Sequence, residues 1–273
     1  MTLHHLFNEI KASTSSIIFL LYGTHGNEID GSFYIADSLA VKLNLLFPDS
    51  QVKLIGPISP WSCRNRYRYD RGFGDPNRYS NPFAPSTINH DLNHWSKCWN
   101  TKKPSDYGKI IDFLSLMYNS GVNPQLIFQA AQTSHPGCPG YVNQALQIKR
   151  VNYLNSSILK LVDGLPFSKI FLLDIHTGVG LDATTEVFYD THDNNGEIKY
   201  LVDILCFLLS QNLNKKVQGF ILETGIINNT IGIIDCLSEI AARTFGYTDN
   251  RYLLYSSITN SWRYRVHSFI QEF

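Results

Sequence analysis

The sequence predicts an α/β fold: a mostly parallel or mixed central sheet with helices on both faces, in a single domain over residues 1–273. Three observations lead there. Short continuous apolar runs, bounded by Gly, Pro or polar residues, read as strands buried on both sides. Segments with apolar residues three and four apart lie between them and read as helices. The two kinds interleave in the manner of βαβ units, and no linker rich in Gly, Ser or charge divides them.

Leu3, Leu6 and Ile10 mark a short amphipathic helix before Ser15. The first buried strand, 17–21, stops at Gly23, and helical periodicity runs over 32–46 through Phe33, Ile35, Ala36, Leu39 and Leu43. A second strand over 52–58 is ended by Pro57 or Pro60, because proline brings no backbone donor. From Trp61 to Trp99 periodicity disappears and Arg, Tyr, Asn, Gly and Pro dominate. The density of aromatic residues argues against disorder, so 61–99 reads as a long insertion of ordered loops that walls a site.

A helix over 106–119, a strand over 125–130 and a loop punctuated by Gly and Pro over 132–141 come next. A helix follows over 143–162, then a buried strand over 169–175 with 176–180 as its exit. A short strand at 186–189 and a helix at 196–213 precede a strand at 217–222, which leaves through Glu223-Thr224-Gly225. Asn229-Thr230 caps a helix to about residue 244, and 262–271 is a final helix.

Lys plus Arg equals Asp plus Glu at 23 each, so the net charge is zero and neither nucleic acid nor an acidic membrane surface is an expected partner. No apolar run approaches the length that crosses a bilayer. The stretch Met1-Thr2-Leu3-His4-His5-Leu6 lacks the basic and apolar parts of a secretory signal. Cys63, Cys98, Cys138, Cys206 and Cys236 form no C-x-x-C pair, which fits a reducing compartment, so a cytoplasmic location is expected. Cys206 and Cys236 lie in apolar helical segments and are expected in the core.

The chemistry-bearing residues sit at strand ends. His25 and Glu28 lie three apart on the turn that leaves the first strand, with Gly23 and Gly26 around them. His176 and Glu223 come at the exits of two later strands, each with Gly within two residues. Parallel strands bring such exits to one edge of the sheet, where open α/β folds bind their ligands. Two imidazoles and a carboxylate are the ligand set of a catalytic zinc with a position left open. His25, Glu28 and His176 are therefore the expected ligands of one Zn2+, although the set would also accept cobalt, nickel or manganese. Glu223 is the expected general base on water and acid toward the leaving amine. Asp174, two before His176, points the same way from a strand and is expected to orient that ligand, with capping or an ion pair as the alternative. His135 and Glu186 are lesser candidates for the pocket, and His4, His5 and His267 are expected in solvent.

At these residues the chain resembles the zinc carboxypeptidase superfamily, over roughly residues 16–235. Gly23-Thr24-His25-Gly26-Asn27-Glu28 is similar to the turn of the aspartoacylase and succinylglutamate desuccinylase branch. Leu173-Asp174-Ile175-His176-Thr177-Gly178-Val179-Gly180, with Glu223-Thr224-Gly225, is more similar to a branch of mostly uncharacterised bacterial carboxypeptidase-like proteins, as is Gln132-Thr133-Ser134-His135-Pro136-Gly137. The resemblance implies hydrolysis of an amide bond in a small peptide or an N-acyl amino acid.

A further family signature is Asn81-Pro82 followed by Asp91-Leu92-Asn93-His94. In the family an Asn-Arg pair holds the substrate's terminal carboxylate, which assigns Asn93 and His94 to substrate binding. His94 stands where Arg is usual, and a neutral imidazole offers one donor and no fixed charge. The family also places an Arg upstream of the pair on the oxyanion, yet none lies between Asn81 and Asn93. Arg64, Arg66, Arg68, Arg71 and Arg78 are available to fold back as a replacement, and Arg78 is the one assigned to substrate binding. Three activities stay open at this point: a metallocarboxypeptidase-like peptidase, an N-acyl amino acid deacylase, and a binding protein that keeps the metal without turnover.

Overall fold

The computed structural model describes residues 3–13, 15–70, 74–78, seven helical positions within 108–119, 142–179, 187–190, 198 and 200–227, together with residue 241. Its strands are β1 (Ser16–Leu21), β2 (Gln51–Ile55), β3 (Lys169–Val179), β4 (Val187–Asp190) and β5 (Lys216–Ile227). Its named helices are α1 (Leu3–Lys11), α2 (Ile29–Leu46), α3 (Pro60–Asn65), α4 (Gln144–Val162) and α5 (Leu201–Leu213). The sheet runs β2-β1-β3-β5-β4, with β2, β1, β3 and β5 parallel and β4 antiparallel at one end. This is the α/β architecture with a mostly parallel sheet that the interleaved runs predict.

Period-two alternation divides β1, β3 and β5 between two cores. Ile18 and Leu20 of β1, Phe171 and Leu173 of β3, and Phe220 and Leu222 of β5 pack under α1 and α2. Ile17, Phe19 and Leu21, with Ile170, Leu172 and Ile221, pack on the opposite face under α4 and α5. Helices therefore cover both faces, and the continuous apolar runs follow from burial on two sides.

Several elements differ from their expected bounds. β3 and β5 do not end at residues 175 and 222. Pairing continues through His176–Glu223 and Thr177–Thr224, and a register shift between Thr177 and Val179 absorbs the irregularity. Gly178, expected in the exit, lies inside the strand instead, since a glycine within a ladder is tolerated where a bulge forms. The beginning of the predicted loop insertion is helical: Pro60 lies in the first turn of α3, where its fixed φ suits a helix start. α2 begins earlier than expected, directly after a 3-10 turn over Gly26–Glu28. α5 begins later, with Asp203 Oδ2 accepting the Tyr200 backbone N–H at 2.8 Å.

The described residues between 108 and 119 are helical, as expected, and Ile110 is buried. Cys63 and Cys206 are buried. The strand at 125–130, the loop at 132–141, the helices after 229 and over 262–271, Cys98, Cys138 and Cys236 lie outside the described residues, as do His135, Glu186, His267 and the side chains of His4 and His5. Among the described residues, no helix is long and apolar enough to cross a membrane.

Candidate metal centre

Two glycines shape the turn after β1. Gly23 has φ +67°, a left-handed conformation that costs a side-chain-bearing residue about 1–2 kcal/mol, and its N–H donates to Ser32 Oγ at 3.1 Å. Gly26 lies against α3 so closely that a Cβ would fall 2.0 Å from the Ser62 carbonyl oxygen. Its N–H donates to the Tyr67 carbonyl at 3.1 Å. With the turn held from both sides, His25 and Glu28 are buried over the carboxyl edge of the sheet.

β3 and β5 supply the rest. Asp174 and His176 share the face of β3 that carries Ile170 and Leu172, and His176 stands in register with Glu223 on β5. Asp174 and His176 are buried, and Glu223 is partly exposed.

Glu28 is the hub. Its Oε1 lies 3.0 Å from His25 Nδ1 and 2.7 Å from Arg68 Nη1. Its Oε2 accepts the Thr177 backbone N–H at 3.0 Å and lies 3.4 Å from His176 Nδ1. The two imidazoles are set alike. Each turns Nδ1 toward Glu28 and Nε2 toward an aspartate, Asp75 Oδ1 for His25 and Asp174 Oδ2 for His176, both at 3.0 Å. A carboxylate hydrogen-bonded behind an imidazole fixes its tautomer, as Asp75 does for His25. Thr24 Oγ1 donates to Asp174 Oδ1 at 2.8 Å, which holds that carboxylate in place.

Burial pushes the Glu28 carboxyl up, but His25, His176 and Arg68 outweigh it and hold the group well below the usual carboxylate range. Burial likewise opposes ionisation of Asp75, and His25, with Arg78 and Arg68 behind it, keeps Asp75 well below its ordinary value. Burial lowers His176, yet Asp174 and Glu28 raise it well above the ordinary imidazole value. Glu223 is raised by burial and by Glu28, against the opposing pull of His176.

The residues present fit a divalent cation. One ligand atom from each of His25, Glu28 and His176 can be chosen so that all lie within 4.8 Å of one another. His176 and Asp174 stand close, but not aligned: neither ring nitrogen of His176, nor Asp174 Oδ2, is in a hydrogen bond, although all three atoms are buried. Buried polar atoms without partners cost free energy, and an ion between the imidazoles and Glu28 would satisfy the donor set.

The structure thus brings together His25, Glu28, His176, Glu223 and Asp174 from the residues expected at a site. Asn93 and His94 lie outside the described residues. Arg78 stacks over Tyr200, with its guanidinium carbon 4.6 Å from the ring centroid, and its buried Nη1 has no hydrogen-bond partner. Arg71 lies outside the described residues, and Arg68 contacts a candidate ligand directly, through Glu28.

Asp75 is the site residue that sequence reasoning missed. Its signal was present: Asp75-Pro76-Asn77-Arg78 has the same Asp-x-Asn-basic spacing that was noted at residues 91–94, and here the last residue is Arg. No family model matches this chain, and no curated protein or solved structure matches it.

Proposed function

We propose that this chain is a zinc-dependent hydrolase of an amide bond, carboxypeptidase-like, acting on a small peptide in the cytoplasm. The observation that carries the reading is His176: buried, without a hydrogen bond at either ring nitrogen, converging with His25 on Glu28, and in register with Glu223 on the neighbouring strand. Zinc held by His25, Glu28 and His176 would supply Lewis acidity, acidifying water and polarising the scissile carbonyl.

The remaining steps belong to the chain. Glu223 takes the proton from water as its oxygen bonds to the carbonyl carbon, then passes that proton to the amine nitrogen as the C–N bond breaks. The Glu223 carboxyl, whose pKa burial raises, suits both roles, because a base poised closer to neutrality takes a proton from water more readily than an ordinary carboxylate does. Arg78, with a buried donor left over, would bind a substrate carboxylate. Arg68, held on Glu28, is the guanidinium that would stabilise an oxyanion formed at the metal.

A second reading is an N-acyl amino acid deacylase. It shares the water activation at His25, Glu28 and His176 and differs in which side of the amide is recognised. Turnover of short peptides against N-acyl amino acids separates the two. Glu223→Gln tests both: it should lower turnover by about 10²–10⁴-fold while zinc stays bound. Unchanged turnover in that variant would remove the mechanism, and zinc binding without turnover of any amide would favour a binding protein.

A further inference from the structure

The segment that carries Asp75 and Arg78 to the site has little regular structure of its own, and its hold comes from α4. Gln147 is fully buried, and its Nε2 donates to two backbone carbonyls of that segment, Pro76 and Arg78, at 2.9 Å each. Its Oε1 accepts from Arg150 Nη1 at 3.0 Å. Arg150 in turn pairs with Asp70, whose N–H donates to the Gly74 carbonyl where the segment begins. From the other side, the Leu201 N–H at the start of α5 donates to the Asn77 carbonyl at 3.0 Å.

We propose that Gln147 is a positioning residue for the metal centre, its amide clamping residues 76–78 so that Asp75 stays on His25 Nε2 and Arg78 stays beside it. The inference deepens the metallohydrolase reading and rests on it for the role of the ion. Both N–H bonds of one amide are used on carbonyls two residues apart, which is more than packing α4 against the sheet requires. Gln147 thus fixes the backbone directly after Asp75, at Pro76 and Arg78, and the Asn77 N–H of that same stretch donates to Asp75 Oδ1 at 2.9 Å. The oxygen that orients His25 is therefore set from a helix far away in sequence. Partners behind a ligand commonly account for 10–100-fold in metal affinity.

The test uses Gln147→Glu, which keeps an acceptor for Arg150 and removes both donors. Gln147→Met serves if that variant does not fold. Leu154→Ala, a cavity in the apolar face of the same helix, controls for lost stability. Zinc affinity by competition with a chromophoric chelator should fall at least about tenfold in the Gln147 variant and stay unchanged in Leu154→Ala. Exchange of the Asn77 and Arg78 amide hydrogens, followed in metal-free protein, should quicken in the Gln147 variant alone.

Equal zinc affinity in wild type and the Gln147 variant would overturn the proposal, as would an equal loss in Leu154→Ala. Unchanged amide exchange would overturn it whether or not metal binds. Wild-type protein that takes up no zinc would instead remove the metallohydrolase reading, and the exchange experiment would still decide whether Gln147 clamps the segment.

Discussion

The two halves of the stretch 170–177 of β3 are alike in burial and different in chemistry. Ile170, Phe171, Leu172 and Leu173 are apolar and fully covered, and Asp174, His176 and Thr177 continue the same strand with almost no exposure. Burial of the first half stabilises the fold, at about 1.5–3 kcal/mol for each large apolar side chain. Burial of the second half costs free energy wherever a polar atom lacks a partner, and several here do. One end of the strand therefore serves the fold, and the other carries a cost that a bound cation would offset.

Breaking the apolar half should have the largest effect. Phe171→Ala, between the sheet and α1–α2, should remove about 3–5 kcal/mol of stability. In urea unfolding it should lower the midpoint steeply while the surviving native fraction keeps wild-type zinc affinity. An equal loss of affinity would mean that the two halves are not separable.

The polar half should show itself in pH dependence. The His176 pKa is raised in the folded protein, so its stabilisation is full below the unfolded value and is lost as pH rises through the folded one. Glu28 and Asp75 are lowered, so theirs is full above the unfolded carboxylate value and is lost as pH falls through the folded one. Metal-free protein should therefore melt highest between about pH 4 and 6.5, the two unfolded reference values. A melting temperature in chelator that keeps climbing through pH 8 would contradict this.

The smallest effect concerns Cys63, which packs beside the turn and donates its thiol to the Gly23 carbonyl at 3.2 Å. Burial pushes that thiol up to about 11. At pH 8 native Cys63 should alkylate about a hundredfold more slowly than in the unfolded chain, read by peptide mapping. Fast native labelling would mean that the turn opens readily.

The body of the sheet was legible because burial on two sides leaves continuous apolar runs, such as residues 17–21 and 169–173, that no other element produces at that length. His25, Glu28, His176 and Glu223 were legible because polar residues at the ends of such runs are conspicuous. Their setting was less so. The glycines after His176 and Glu223 suggested strand exits, yet each ladder runs on past them, because neighbouring strands can still pair around a bulge. Asp75 and Arg68 were hardest to place. They lie where no periodicity marks an element, and what brings them in are contacts distant in sequence, to His25, Glu28 and, through the chain, Gln147.

The most direct test of the centre is zinc titration by calorimetry on metal-free wild type and His176→Ala. The account predicts one tight site per chain in wild type and an affinity lower by more than about a hundredfold in the variant, since it loses a ligand where the loss of a supporting partner alone costs 10–100-fold. Equal binding by the two proteins, or none by wild type, would contradict it.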